Sequence, residues 1–362
     1  MPAPVPIRRN APPPPNHEPL LTYRIAINGY GRIGRSFLRA IHESPLRNQL
    51  AVVHINEPAN LESIAYLTRF DSTHGRFPGV VDKDEHGLRI DGVPISVSHA
   101  TRPDAVAWSS LGIDLLVECS GQYGGRGELE SFLNAGVPRL LLSHPGHSAA
   151  DLDATIVYGI NHGTLNGREQ LVSNASCTTN AVVPVLDLLD RSFSVEQVFL
   201  TTLHSVMNDQ PLADGYHHAD LRRTRSAMQS MIPVSTGLAK GVERLLPQLT
   251  GRVQAKAIRV PTLNVSAIDL VVHLQKKCDN ATVNRLLADA AAGPWSRLIA
   301  YSEAPHASID FNHDPHSAIV DASQTRAAGD RLINLLIWFD NEWGFANRML
   351  DVARHWLAEA RK

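Results

Sequence analysis

Hydrophobic and polar positions follow two different periods along the chain, and the order of these periods predicts the architecture. From Tyr23 the sequence Tyr-Arg-Ile-Ala-Ile-Asn alternates as in a strand, and a glycine-rich turn follows at 29–34. Ile33–His42 has helical spacing, and Leu50–Asn56 has the pattern of a second strand. A strand, turn, helix and strand in this order form a βαβ unit, which predicts a parallel sheet with helices on its faces.

After about Ser173 the pattern changes to longer apolar strands, which indicates a second, more antiparallel unit, and Gly344–Lys362 returns to helical spacing. We therefore expect an α/β protein with a parallel-sheet domain at 23–173, an α+β domain with a mixed, largely antiparallel sheet at 174–339, and a C-terminal helix at 340–362. The further strands predicted are Asp114–Cys119, Arg139–Ser143, Val195–Leu203, Val265–Leu274 and Leu332–Phe339.

Composition and charge limit the class of protein. The content of 43% hydrophobic and 19% charged residues is ordinary for a globular protein, and the net charge of -2 gives no broad attraction to nucleic acid or anionic membranes. No run of about 18 apolar residues and no secretory signal is present, so we expect neither a membrane span nor export. Cys119, Cys177 and Cys278 form no CxxC pair or dense framework, which favours a reducing, cytoplasmic location.

Residues 1–22 are rich in proline and include the run Pro12–Pro15. Proline favours extended conformations that pack poorly, so this segment is predicted to be a disordered tail. A Pro-rich docking peptide is the alternative interpretation.

The turn between the first strand and helix fits the GxGxxG fingerprint of dinucleotide-binding proteins, with Gly29, Gly31 and Gly34 at the three glycine positions. Glu57 follows the next strand, where a carboxylate can accept hydrogen bonds from the adenosine ribose and would repel the extra phosphate of NADP. These features predict an NAD site. The alternative is a tight glycine turn of any α/β protein, with Glu57 as a solvated strand end.

A candidate nucleophile lies in the segment Ser173–Asn180, where Cys177 directly precedes an apolar helical pattern. Unpaired N–H groups at a helix N-terminus stabilise a thiolate, but by only about 1 kcal/mol, so a neighbouring cation is also needed. His204, which follows the strand Val195–Leu203, is the candidate for this cation and for the general base. Its position in the sequence is weak evidence alone, because most histidines are not catalytic. Cys119 and Cys278 open no helix and are interpreted as buried residues.

Several blocks of sequence, taken together, resemble the glyceraldehyde-3-phosphate dehydrogenase superfamily over nearly the whole chain from Tyr23. The resemblance implies a Rossmann-type NAD-binding domain, a mixed-sheet catalytic domain, a C-terminal helix that returns to the first domain, and a homotetramer. The blocks are Ile27–Arg35, Phe70–Phe77, Ser173–Asn180, Arg259–Thr262 and Trp338–Phe345.

The resemblance also implies roles for individual residues. Asn341 would hold the nicotinamide carboxamide, and arginines suit a substrate phosphate because their planar fork pairs two oxygens at once. Arg259 lies in an apolar strand pattern and is expected to have a partner, whereas Arg222 and Arg225 could equally be solvated. The implied residues are Cys177 and His204 for catalysis, then Gly29, Gly31, Arg32, Ile33, Gly34, Glu57, Ser120 and Asn341 for NAD, and finally Ser176, Thr178, Arg223, Thr236, Gly237 and Arg259 for the substrate.

Within the superfamily, further blocks resemble the erythrose-4-phosphate dehydrogenase branch. Met207 is the most informative departure from the glycolytic enzyme, which has a phosphate-binding threonine there, because a thioether cannot donate the equivalent hydrogen bond. This branch implies oxidation of erythrose 4-phosphate through a thioester that water cleaves, giving 4-phosphoerythronate, a precursor in pyridoxal phosphate synthesis. The blocks are Ser143–Gly146, Asp153–Gly159, His204–Gln210, Tyr216–Arg225 and Ser308–Ser317.

Two alternatives remain open at this point. A phosphorylating glyceraldehyde-3-phosphate dehydrogenase is favoured by the retained residues Thr178, Arg223 and Thr236. A catalytically idle NAD-binding or redox-sensing protein would instead oxidise Cys177 reversibly.

A metal site is not expected. His306, His313 and His316 are close in sequence, but their loop lacks the carboxylate and cysteine spacing of zinc sites. The expected partner is therefore a small phosphorylated aldehyde rather than a metal, a nucleic acid or a membrane.

Overall fold

The computed structural model of the protein describes residues 22–217 and 220–362. The tail predicted for residues 1–22 lies outside the described residues, apart from Thr22. Among the described helices, none has both the length and the apolar character needed to cross a bilayer. The α-helices within the described ranges are α1 (Arg32–Glu43), α2 (Leu61–Arg69), α3 (Arg126–Asn134), α4 (Cys177–Phe193), α5 (Leu238–Leu245), α6 (Asn280–Ala292) and α7 (Trp343–Glu359).

The first part of the chain forms a mixed sheet whose centre is parallel. Its strands are β1 (Tyr23–Asn28), β2 (Leu50–Asn56), β5 (Val81–Asp84), β6 (Gly87–Ile90), β7 (Val93–Ser98), β8 (Leu115–Glu118), β9 (Leu140–Leu142), β10 (Ala154–Thr155) and β11 (Leu171–Ser173), with the separate hairpin β3 (Phe70–Asp71) and β4 (Gly75–Arg76). The strand order is β10-β11-β9-β8-β1-β2-β7-β6-β5. Strand β1 pairs in parallel with β2 on one side and with β8 on the other, so the topology reverses at β1 and leaves a crevice at the carboxyl ends.

Residues of β1 and α1 show why this part folds as a layered unit. Ile25 and Ile27 of β1 are fully buried, as expected for a central strand covered on both faces. Helix α1 turns Phe37 and Ile41 toward the same core. The C-terminal helix α7 packs against α1 and adds Trp356 to this core.

The second part of the chain forms a separate mixed sheet, in which antiparallel pairs predominate. Strands β12 and β14 pair in parallel, as do β16 and β17, and the other neighbours are antiparallel. With the parallel centre of the first sheet, this confirms the predicted fold class. The strands are β12 (Val195–His204), β13 (Ile232–Val234), β14 (Val253–Arg259), β15 (Ser266–Leu274), β16 (Ile299–Ser302), β17 (Ala318–Ala328) and β18 (Leu332–Phe339), in the order β13-β14-β12-β15-β18-β17-β16.

Helix α4 joins the two sheets. It begins just after β11, the last strand of the first sheet, and leads into β12 of the second. Val182, Val185 and Leu186 are fully buried in the core of the second sheet. The first residue of α4 therefore lies at the junction, beside the carboxyl ends of both β11 and β12.

Candidate active site

The turn before α4 is held tightly by its own polar groups. The Ser176 hydroxyl oxygen accepts a hydrogen bond from the Thr179 backbone N–H at 3.1 Å and caps the helix. The Asn180 amide donates to the Asn174 and Ser176 carbonyl oxygens. Ala175 has a φ of 56°, a left-handed conformation that is strained for a residue with a side chain. These contacts fix Cys177 as the first residue of the helix, in agreement with its predicted position near the helix N-terminus.

Cys177 and His204 face each other across the junction. The Cys177 Sγ atom lies 3.6 Å from Nε2 of His204, which is the last residue of β12. On the other side of the imidazole, Nδ1 donates to the Ser205 carbonyl oxygen at 2.8 Å, because a carbonyl can only accept. In the neutral ring Nε2 therefore carries no proton and can take one from the thiol.

The pKa of each member of this pair moves toward the charged form. Burial alone would raise the pKa of the Cys177 thiol, but the hydrogen bond and charge of His204 outweigh burial and lower it. Burial would likewise lower the pKa of His204, and Cys177 raises it. The arrangement therefore favours a thiolate beside an imidazolium, which is the activated form of a cysteine nucleophile.

The other cysteines differ from Cys177 in their electrostatic surroundings. Burial raises the pKa of the Cys119 thiol, and the neighbouring Glu118 raises it further. Burial also raises the pKa of Cys278. Neither thiol is activated at neutral pH.

A cleft of about 880 Å³ opens in front of the Cys177–His204 pair. It extends from the glycine turn after β1 to helix α5, so the first and second sheets both contribute to its wall. Its size is in the range of sites for cofactors and small molecules. Of the residues predicted from sequence, the cleft brings together Gly31, Arg32, Ile33, Ser120, Ser176, Cys177, Thr178, His204, Thr236, Gly237 and Asn341.

The glycine turn has the shape of a cradle for a dinucleotide. Gly29 has a φ of 82°, and a Cβ there would lie 2.4 Å from the Ser120 nitrogen. A Cβ on Gly34 would lie 2.3 Å from the Gly29 carbonyl oxygen, whereas one on Gly31, which lines the cleft, would meet nothing within 4 Å. Glu57 accepts from the Tyr30 backbone N–H at 2.8 Å, which places its carboxylate against the turn. The residues present fit NAD.

Gly31 and Gly34 offer a matched pair of substitutions. We expect Gly34→Ala to lower the free energy of unfolding by about 1–3 kcal/mol, because the added Cβ overlaps backbone. Gly31→Ala should leave thermal stability close to wild type but weaken NAD binding about tenfold or more, because backbone can no longer approach the pyrophosphate. Thermal unfolding and calorimetric titration with NAD separate the two effects. Equal losses of NAD affinity with no difference in stability would contradict this interpretation of the turn.

A buried polar network at the carboxyl ends of β2, β1 and β8 was not predicted from the sequence. The Asn56 amide donates to Asn28 Oδ1 at 2.8 Å, and the Asn28 amide donates to the Glu118 carboxylate. The Ser120 backbone N–H also donates to Glu118 at 2.7 Å. Burial raises the pKa of Glu118, while these donors act to lower it. The network fixes the loop that carries Ser120 into the cleft.

Asn341 is oriented by two serines that sequence reasoning missed. Its Oδ1 atom accepts from the Ser205 hydroxyl at 2.9 Å and from the Ser266 hydroxyl at 2.7 Å. The amide nitrogen of Asn341 makes no hydrogen bond to the described residues, and Asn341 lines the cleft. This is the donor that a nicotinamide carboxamide oxygen requires.

The two arginines predicted to bind phosphate are paired with an acidic side chain, and Arg259 lies opposite His204 in the register of β12 and β14. Arg259 is buried and donates to both carboxylate oxygens of Asp209, at 2.6 and 3.0 Å. Arg223 donates to the same carboxylate at 3.0 Å. The expectation that Arg259 has a partner is met, but neither arginine is part of the cleft wall. Their role as phosphate ligands stays a prediction.

The three clustered histidines each contact a different acidic group. His306 lies 3.6 Å from Asp310, and His316 lies 2.6 Å from Asp314. The Nε2 atom of His313 contacts Glu43 at 2.9 Å. Within residues 22–217 and 220–362, no group of three histidine, cysteine or acidic side chains is arranged to hold a metal ion.

Comparison with protein families agrees with this geometry. Residues 23–126 match the NAD binding domain of glyceraldehyde 3-phosphate dehydrogenase, and residues 176–341 match the C-terminal domain of the same enzyme. The chain belongs to the glyceraldehyde-3-phosphate dehydrogenase superfamily. It is an NAD-dependent oxidoreductase of this superfamily, and the cofactor predicted from the glycine turn is confirmed at the level of the family.

Proposed function

We propose that the protein oxidises D-erythrose 4-phosphate to 4-phosphoerythronate with NAD, and that water cleaves the thioester formed on Cys177. The choice of substrate rests on the side chain at position 207. Met207 lines the cleft with a thioether, and its sulfur accepts from Arg259 Nη2 at 3.6 Å. A thioether provides no hydrogen-bond donor for a phosphate at this point. Glyceraldehyde 3-phosphate, if bound as in the glycolytic enzyme, would therefore lose the phosphate contact that a threonine makes at this position.

The first chemical step uses the activated thiolate. The Cys177 sulfur attacks the aldehyde carbon, and the carbonyl oxygen becomes an oxyanion on the thiohemiacetal. Free backbone N–H groups in the first turn of α4 and Nε2–H of His204 are the donors available to this oxyanion. When bound, NAD accepts the hydride that leaves the carbon.

Proton movement then centres on His204. As the oxyanion collapses to a thioester, the proton stays on the imidazole or passes to solvent. Once the ring is neutral, Nε2 can take a proton from an attacking water, while Nδ1 remains fixed on the Ser205 carbonyl. Addition of water to the acyl carbon and cleavage of its bond to sulfur release the carboxylate and restore the free thiolate of Cys177.

Assays with two aldehydes, each with and without inorganic phosphate, test this proposal. We expect kcat/KM for D-erythrose 4-phosphate to exceed that for D-glyceraldehyde 3-phosphate by at least about tenfold, since a site that lacks one phosphate donor discriminates on this scale. Turnover should persist without phosphate and yield 4-phosphoerythronate. A strict need for phosphate with faster oxidation of the three-carbon aldehyde would identify a phosphorylating glyceraldehyde-3-phosphate dehydrogenase instead.

That second candidate has specific support. Ser176, Thr178, Thr236 and Gly237 all line the cleft near Cys177, where they could hold inorganic phosphate for attack on the thioester. The assay without phosphate therefore decides between water and phosphate as the second substrate.

The homotetramer implied by the family resemblance remains a proposal. Its support is a set of exposed apolar side chains in the segment between β12 and β13 and its surroundings, which a partner subunit could cover. They are Leu212, Tyr216, Leu221, Met228 and Met231. A cytoplasmic location and a part in pyridoxal phosphate synthesis likewise remain proposals.

A further inference from the structure

Two histidines from distant parts of the chain contact each other beside the cleft. His74 lies in the turn between β3 and β4, and His313 lies in the segment that leads into β17. Their Nδ1 atoms are 3.1 Å apart, and the His313 ring stacks on Trp343 at the start of α7 with a centroid distance of 3.8 Å. Ser72 and Thr73, which precede His74, line the cleft. These two histidines, the histidine pair, therefore adjoin the cleft wall.

The outer nitrogen of each ring contacts a carboxylate. Nε2 of His74 lies 3.1 Å from Glu342, and Nε2 of His313 lies 2.9 Å from Glu43. Burial would raise the pKa of both carboxyl groups, but hydrogen bonds from the histidines and from arginines lower it, so both groups are ionised at neutral pH. An ionised carboxylate can only accept a hydrogen bond. Each histidine therefore donates from Nε2.

The contact between the two Nδ1 atoms requires a further hydrogen. Ring nitrogens 3.1 Å apart form a hydrogen bond only if one carries a hydrogen and the other offers a lone pair. Because Nε2 is already protonated on both rings, the ring that supplies this hydrogen is an imidazolium. Without the shared proton two lone pairs would face each other, and with a second proton two N–H groups would. The geometry therefore selects a histidine pair with a single positive charge.

The surrounding ion pairs match this charge. Arg32 donates to Glu342 and to Asp71, and Arg39 donates to Glu43. The two arginines and the singly charged histidine pair balance the charges of these carboxylates. A neutral pair would leave one carboxylate without a matching cation, which is costly where the groups are buried.

Arg35 and Asp340 also lie beside the histidine pair. Arg35 and His74 line the same small cavity. The Asp340 carboxylate accepts a hydrogen bond from the His313 backbone N–H at 2.8 Å. Their charges are opposite, so they leave the balance around the pair unchanged.

Glu342 connects the histidine pair to the cofactor side of the cleft. Its carboxylate contacts His74 and also accepts from Arg32 Nε at 2.8 Å. Arg32 follows Gly31 at the start of α1 and lines the cleft, and Asn341, the residue before Glu342, lines it as well. Because Glu342 is buried, loss of a cation beside it would leave part of its charge uncompensated. The positions of Arg32 and Asn341 therefore depend on the pair.

We propose that His74 and His313 are positioning residues for NAD, and that the proton they share holds Glu342 and Arg32 in the geometry that receives the cofactor. Residues behind a binding site restrict the orientation of the residues that contact the ligand, and their loss weakens binding although they do not touch it. NAD is needed for the oxidation of either aldehyde, so this role holds for both candidate functions.

Calorimetric titration of the full-length protein with NAD tests this role. His313→Phe keeps an aromatic ring against Trp343 but removes both nitrogens, so the Kd for NAD should rise about tenfold, while kcat at saturating NAD falls by less than about threefold. The matched control is His306→Phe, which removes an exposed histidine beside Asp310 in the same segment and should leave the Kd within about twofold of wild type. A Kd for His313→Phe equal to that of the control would overturn the proposal.

A second substitution separates the charge from the packing of the ring. In His313→Lys the ammonium restores a positive charge and can donate to both His74 and Glu43. This variant should recover most of the NAD affinity that His313→Phe loses. Equal losses of affinity in the two folded variants would contradict a role for the charge.

Neutron diffraction from crystals of the deuterated protein at neutral pH tests the shared proton without any variant. We expect one deuterium on Nε2 of each ring and a single further deuterium between the two Nδ1 atoms. A pair that lacks this deuterium, or that carries one on each Nδ1 atom, would overturn the shared proton.

Discussion

Replacing Cys177 with serine should lower kcat by at least about 10⁴-fold, since a serine hydroxyl beside His204 is a far weaker nucleophile than a thiolate. The sulfur is the atom that forms the covalent intermediate, and its pKa is lowered by His204 against the effect of burial. Steady-state turnover with erythrose 4-phosphate measures the loss. Binding of NAD, followed by calorimetry, should persist because the glycine turn is untouched.

A control substitution makes this result specific. Cys278→Ser removes a cysteine that lies in the core of the second sheet, and it should retain turnover. If Cys177→Ser kept more than about a tenth of the wild-type kcat, covalent catalysis by this residue would be excluded. If the wild-type protein showed no turnover on either aldehyde while Cys177 was oxidised reversibly by peroxide, the redox-sensing alternative would replace the enzyme.

Replacing His204 with asparagine should lower kcat by about 10²- to 10⁴-fold, because it removes both the general base and the cation beside the sulfur. The substitution should also change the pKa of the Cys177 thiol in a definite direction. Burial raises the pKa of Cys177 and His204 lowers it, with a net decrease from the ordinary value of 9.0. Without His204 the remaining effect of burial dominates, so the pKa should rise.

Alkylation of Cys177 by iodoacetamide across a pH series measures this change directly. In the wild type, the rate should rise with pH through a midpoint below 9.0, since the lowered pKa lets the thiolate form early. In His204→Asn the midpoint should move upward, and a thiol whose pKa is higher by about 1 has about tenfold less thiolate at neutral pH. Identical midpoints in the two proteins would show that His204 does not activate the sulfur.

The parts of the site that the sequence predicts are those built from local patterns. Gly29, Gly31 and Gly34 lie within one turn, where Gly29 has a positive φ and Gly34 has no room for a Cβ atom. Cys177 is identified by the change from small polar residues to an apolar helix at one point of the chain. Both predictions depend on neighbours in sequence, and the structure places Gly31 and Cys177 in the cleft wall.

The parts that could not be predicted depend on contacts between distant segments. Asp209 and Arg259 are 50 positions apart, and nothing in either local pattern indicates that one neutralises the other. Ser205 and Asn341 meet across 136 positions. Glu118 ends a buried apolar strand, where a carboxylate is unfavourable unless donors compensate it. One of its donors, Asn28, is 90 positions away and is brought to it only by the folded topology.

The packing of α7 against α1 has a consequence for how the protein is made. Trp356 and its neighbours complete the core beneath the glycine turn, and Glu342 pairs with Arg32 across 310 positions of sequence. During translation the ribosome synthesises β1 and β2 long before α7. The apolar face of α1 that α7 covers therefore stays exposed until α7 has been synthesised and can pack against it.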